Sequence, residues 1–164
     1  MTLHQTYRQL QVAVAIIAAA AFTSCFDRTI HFEYKGTKID GWNREDTVAF
    51  SIHSIEEASY YVEELGIRAN NQYPFAKLHL KVRQEIISTN DTTHRQLFED
   101  AVQLPIYDDH GESVGTGVNL RQYKIPLKTL RLQAGDSLQV SICHDMRDDD
   151  ICGISDVGFR LIKN

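Results

Sequence analysis

Apolar and polar residues alternate with a period of two through much of the chain. Ile30, Phe32 and Tyr34 form one such series, as do Val48, Phe50 and Ile52, and Leu78, Leu80 and Val82. The pattern recurs in Tyr123, Ile125 and Leu127, in Leu138, Val140 and Ile142, and in Val157, Phe159 and Leu161. Successive side chains of a β-strand point to opposite faces, so each series predicts a strand with one apolar face turned to a core. The residues between, such as His31 and Glu33, Lys81 and Arg83, or Gln139 and Ser141, suit the solvent side of an antiparallel sheet. Gly, Asn and Asp clusters separate the series, and short strands parted by turn residues predict an all-β fold. The expected architecture is an antiparallel β-sandwich, jelly-roll-like, following an N-terminal signal segment. Two segments also fit a helical period: Ile55 to Ala69, through Ala58, Tyr61, Val62 and Leu65, and the group Leu97, Phe98, Ala101 and Val102.

The start of the chain follows a different rule. Arg8 is the only charged side chain before an unbroken apolar run from Val12 to Phe22. A bilayer span needs about 20 apolar residues, whereas an export signal carries about 7–15 that end in small residues. The run closes in Phe22-Thr23-Ser24-Cys25, which resembles a lipobox with Phe22 in the usual leucine position. In such a motif the cysteine thiol takes a diacylglycerol and becomes the mature N-terminus. The expected organisation is therefore a lipoprotein signal peptide over residues 1–24, a lipid-anchored start and tether over 25–33, and a single β-sandwich domain over 34–164, with Cys25 as the lipid-attachment residue. The competing reading is an ordinary signal peptide cleaved nearby, which leaves Cys25 a plain cysteine. Two or three acyl chains anchor stably because each buried methylene contributes about 0.8 kcal/mol.

Charge narrows the partners. The net charge is −5, and losing Arg8 with the signal makes the mature chain more acidic, with both signs interspersed. That argues against nucleic acid and against a basic membrane-binding face. There is no internal repeat or low-complexity tract.

Several signatures occur together in an order that resembles the gliding-motility lipoprotein H (GldH) family of Bacteroidetes. They are Trp42 ahead of the Val48–Ile52 strand, Arg68 followed by Asn70-Asn71-Gln72-Tyr73-Pro74-Phe75, the acidic and glycine-spaced stretch from Asp108 to Gly117, and His144-Asp145-Met146-Arg147 followed by Gly153-Ile154-Ser155-Asp156-Val157-Gly158. Ser113 and Cys152 depart from the pattern, standing where an aromatic and a proline are expected. The resemblance implies a β-sandwich envelope lipoprotein associated with gliding motility and type IX protein secretion, bound to other envelope proteins and to the membrane through its lipid; it implies no known catalytic activity, and no cofactor is expected. It also favours the strand reading of the two ambiguous segments. Phe26-Asp27-Arg28 lacks the acidic run associated with surface export in that phylum, so a periplasm-facing domain is expected over a surface one.

Each residue group that draws attention has two readings. Proline fixes its own φ and extends the residue before it, so Tyr73-Pro74-Phe75 is a rigid turn. Its rings, with Trp42, either meet a partner protein or a sugar, or cap the sandwich core. Arg147 either contacts a partner or pairs with a carboxylate such as Asp156, with Met146 filling the sandwich end. Cys143 and Cys152 flank the acidic loop; an exported domain permits a disulfide there, worth about 2–3 kcal/mol by loop entropy, or two free thiols, since the family pattern calls for no cysteines. The run of Asp145, Asp148, Asp149 and Asp150 lacks EF-hand spacing and reads as a solvated loop rather than a Ca²⁺ site. Gly111, Gly115 and Gly117 are not followed by the lysine of a phosphate loop. The seven histidines form no metal-ligand pair, and no serine elbow is present, so the chain is read as non-catalytic and without a metal site. The alternative to an assembly subunit is a β-sandwich module that binds glycan or another small ligand through Trp42, Tyr73 and Phe75.

Overall fold

The computed structural model describes residues 28–89 and 95–164, so the signal segment and Cys25 lie outside the described residues. Among the described residues the period-two alternation produces ten strands, all paired antiparallel, and no helix. They are β1 (Thr29–Gly36), β2 (Trp42–Asn43), β3 (Val48–Ile52), β4 (Ser59–Ala69), β5 (Lys77–Ile87), β6 (Arg95–Pro105), β7 (Arg121–Leu132), β8 (Ser137–His144), β9 (Asp150–Ile151) and β10 (Ile154–Lys163). Two four-stranded sheets, ordered β1-β10-β4-β7 and β3-β8-β5-β6, face one another, and the short β2 and β9 pair at one end. Setting aside that short pair, each strand is followed by one in the opposite sheet except at the β5-β6 hairpin, and the two sheet orders are those of a jelly roll.

The predicted alternation is seen most cleanly in β3, β5 and β8. Phe50, Leu78, Leu80, Val82, Leu138, Val140 and Ile142 are buried, while Ala49, Lys77 and His79 face out. From the other sheet Leu65, Ile67, Val157, Phe159 and Leu161 complete the core. At roughly 25 cal/mol per Å² of apolar surface, such double-sided burial is the main force holding the sheets together.

Three features depart from the sequence pattern. In β1 the faces are inverted: Ile30 and Phe32 are 44% and 55% exposed, and His31 turns inward against Phe50 and Phe159, at ring-centroid distances of 6.1 and 6.2 Å. The register with β10 fixes this choice, because a one-residue slip would send every side chain of the strand to the other face. The stretch before β4 is loop, and β4 itself begins at Ser59, with a register shift between Val62 and Glu64. The extra residue of that shift lies on β7; Glu63 follows the inward alternation of Tyr61, Leu65 and Ile67, and this one charged side chain in the buried row is what broke the apolar pattern in sequence. In β6, an edge strand, Leu97 points to solvent at 68% exposure while Phe98 and Val102 pack on the core.

Candidate functional site

The residues singled out in the sequence converge on one end of the sandwich, where the segments 37–47, 70–76, 106–120 and 145–153 meet. Trp42 is carried by β2, which pairs with β9 so that Trp42 stands opposite Ile151. Its indole is 1% exposed, and its N–H donates to the Asp46 carbonyl at 2.8 Å. His144 ends β8 beneath it, the two rings meeting edge to face at 5.2 Å. His144 Nε2 lies 3.0 Å from the Trp42 carbonyl, which can only accept, so Nε2 carries the proton; Nδ1 then accepts from the Met146 amide at 3.4 Å. Burial first, and the nearby Arg44 charge after it, hold the His144 pKa below the ordinary histidine value.

Tyr73 and Phe75 flank an exposed Pro74. An Asx turn starts the segment, with the Gln72 amide donating to Asn70 Oδ1 at 2.9 Å. Tyr73 is 1% exposed, its hydroxyl donates to the Lys77 carbonyl at 2.9 Å, and burial pushes its phenol well above the ordinary tyrosine value. Phe75 packs edge to face on it at 5.6 Å and remains half-buried. Gly153 sits beneath this turn with a φ of 86°, and a Cβ there would fall on the Tyr73 backbone nitrogen. The Met146 sulfur accepts from the His79 amide at 3.3 Å and lies 3.8 Å from the Tyr73 hydroxyl, so Met146 fills the sandwich end as the sequence suggested.

Arg44, which the sequence reading passed over, ties the acidic segment down. Its guanidinium donates to the Met146 carbonyl and, at 3.3 Å, to the Arg147 carbonyl, and it lies 3.5 Å from the Asp149 carboxylate. Its role was invisible in sequence because its partners are mostly backbone carbonyls a hundred residues away. Arg147 itself is exposed, and among the described residues its guanidinium has no ion-pair partner; Asp156, the carboxylate expected to hold it, accepts instead from the Ser155 hydroxyl at 2.7 Å.

The four residues proposed as partner-binding thus divide. Trp42 and Tyr73 are interior and brace the end of the sandwich, so neither offers a ring face to a partner or a sugar. Phe75 is half-exposed and Arg147 exposed. Cys143 and Cys152 are both free thiols. Cys143 stands on β8 opposite Lys81, with its pKa raised by burial, while the Cys152 thiol donates to the Gln72 carbonyl at 3.3 Å.

Among the described residues no group of three or more His, Cys, Asp or Glu side chains could hold a metal ion. An open cleft of about 310 Å³ lies between the ends of β6 and β7, lined mainly by Leu104, Pro105, Val114, Tyr123 and Ile125, with Lys124 its one charged residue. A second, of about 440 Å³, lies beside Trp42 and holds Lys38 and Asp46, paired at 3.4 Å. No described helix is long and apolar enough to cross a membrane.

Fold and site together define a jelly-roll β-sandwich whose distinctive residues build a braced loop cluster at one end. A family model described as GldH lipoprotein matches residues 29–161 of the chain, which therefore belongs to the GldH lipoprotein family of gliding-motility proteins. A relative is the gliding motility lipoprotein GldH of Flavobacterium johnsoniae, 24% identical over 156 residues that cover 90% of this chain and 93% of the relative. Among solved structures, Eiger TNF from S. frugiperda covers 84% of this chain and 94% of its own at 13% identity and a TM-score of 0.35. A xylan-binding CBM22-2 domain from Paenibacillus barcinonensis covers 86% and 90% at 8% identity and a TM-score of 0.34.

Proposed function

We propose that this chain is a lipid-anchored, non-catalytic subunit of an envelope motility or type IX secretion assembly. It is held to the membrane by acylated Cys25, faces the periplasm, and binds other envelope proteins through the loop cluster at the far end of the sandwich. The observation that carries this reading is the arrangement of the family signatures. Trp42, Tyr73, His144, Met146 and Gly153 are spent on fixing the backbone of the loops, which leaves Phe75, Arg147 and a fringe of carboxylates displayed on a rigid frame. Half-exposed aromatics and arginines are the residues that dominate protein interfaces. The segments 37–47, 106–120 and 145–153 carry ten acidic and three basic side chains, so the surface they form suits a basic partner face. Of the three aromatics that motivated a glycan-binding module, Trp42 and Tyr73 are buried and Phe75 alone is half-exposed, which favours the assembly reading.

Crosslinking the tagged, acylated protein in its own envelope, followed by affinity purification and mass spectrometry, tests the proposal. Recovery of other motility or secretion components, lost in a Cys25→Ala control, is the expected result. A protein that comes down alone from both preparations would reject it.

A further inference from the structure

The outer face of the β1-β10-β4-β7 sheet carries large apolar side chains that no other part of the fold covers. Ile30 and Phe32 are 44% and 55% exposed on β1, and Tyr60 is 55% exposed on β4. The strand register sets Ile162 and Val62, both half-buried, side by side next to Ile30, while the row that starts at Phe32 continues through Arg160 and Glu64. All five lie at the end of the sheet where the described chain starts and stops: the Lys163 amide donates to the Arg28 carbonyl at 2.8 Å and the Asn164 amide to the Tyr60 carbonyl at 2.9 Å.

We propose that this corner of the sheet docks on the bilayer surface that holds the lipid anchor, with Ile30, Phe32 and Tyr60 seated in the headgroup boundary. The inference rests on the acylated Cys25 of the proposed function and deepens it. Three residues separate Cys25 from β1, and a fully extended chain spans at most about 3.6 Å per residue, so Thr29 lies within about 14 Å of the anchored cysteine. A tether of that length holds the first turn of β1 beside the headgroups. Aromatic and branched apolar residues favour that boundary, where buried depth is roughly 5–10 Å.

Charge points the same way. Arg131 stands opposite Tyr60, Arg28 and Lys163 meet at the sheet's end, and Arg160 stands over the Phe32 ring at 5.7 Å, its own charge paired with Glu64 at 4.0 Å. Glu57, paired with Lys163, and Glu56 offset part of that charge. The strongly acidic segments 37–47, 106–120 and 145–153 lie at the opposite end of every strand, away from an anionic leaflet.

The chain has a single tryptophan, Trp42, buried at that far end, so the wild-type protein supplies its own reference. Acylated wild type, Phe32→Trp and, on a separate strand, Tyr60→Trp are reconstituted into phosphatidylethanolamine–phosphatidylglycerol vesicles with brominated acyl chains. The added tryptophan is expected to be quenched roughly twofold, as a ring inserted at the headgroup boundary should be, while Trp42 emission stays unchanged. Variants that float with the vesicles but keep full emission would overturn the docking and leave the anchor standing. So would protection of both rings in native envelopes alone, which assigns the face to a protein. Wild type that fails to float would remove the acylated Cys25 and the docking together.

Discussion

Glu63 is fully buried between the sheets, where it accepts a hydrogen bond from Gln84 Nε2 at 2.7 Å; its second oxygen and the Gln84 carbonyl oxygen have no partner among the described residues. Burial is the main reason its pKa rises to about 7, outweighing the Gln84 bond and Lys128. A raised carboxyl pKa favours the folded state while the group stays protonated. Its contribution is complete below the ordinary value of 4.5 and is lost as pH rises through about 7. Across that window the loss is on the order of 3 kcal/mol. Glu63→Gln keeps the shape and the acceptor without the charge, so urea melts of the variant should lack this alkaline loss and be more stable than wild type at pH 8. Equal slopes for the two proteins between pH 5 and 8 would contradict the buried-acid reading. His144 acts in the other direction. Its lowered pKa gives a contribution present above the ordinary histidine value and lost as pH falls through the folded one. At the loop cluster, Tyr73→Phe removes the bond to the Lys77 carbonyl and the hydroxyl's contact with the Met146 sulfur, and should cost about 1 kcal/mol. Tyr73→Ala empties the site and should cost about 3–5 kcal/mol in the same denaturation assay.

At the scale of elements, Tyr34 is the side chain that ties one sheet together from outside. Rooted on β1, it lies across Gly158 of β10 and Gly66 of β4 and ends where Gln122 Nε2 of β7 donates to its hydroxyl at 2.9 Å, with the Arg68 guanidinium over its ring at 4.0 Å. A Cβ on Gly158 would come within 2.5 Å of the ring. Gly158→Ala should therefore destabilise by about 1–3 kcal/mol, and by much less in a Tyr34→Ala background, as a double-mutant cycle would show. Additive effects would mean the ring is not what excludes a side chain there. The two free cysteines give a simpler check: the protein denatured without reductant should take up an alkyl group at both Cys143 and Cys152, whereas a species resistant until reduced would show that they pair. The strands that alternation made legible are those with one buried and one wet face, such as β5 and β8. β1 misled because this edge strand turns Ile30 and Phe32 outward and His31 inward, and β4 because a polar pair occupies core positions. In the loop cluster the right residues stood out in sequence, but not their direction. An aromatic turn reads the same whether its rings face a partner or the core, and only Gly153 packed under Tyr73 decides for the core.

For the whole molecule, the jelly roll separates two ends with different chemistry. The first and last described residues, Arg28 and Asn164, share one end with Ile30, Phe32 and Tyr60, and the acidic, braced loops share the other. In the function proposed above, the lipid-proximal corner rests on the membrane and the rigid loops meet partners. The central claim is that those loops are where partners bind. Photocrosslinking amino acids placed at Phe75 and at Arg147 in the living envelope test it most directly, with one at Leu97 on the exposed edge of β6 as reference. Discrete adducts with other envelope proteins from positions 75 and 147, and none from 97, are the predicted result. Adducts from position 97 alone, or from none of the three, would contradict the account.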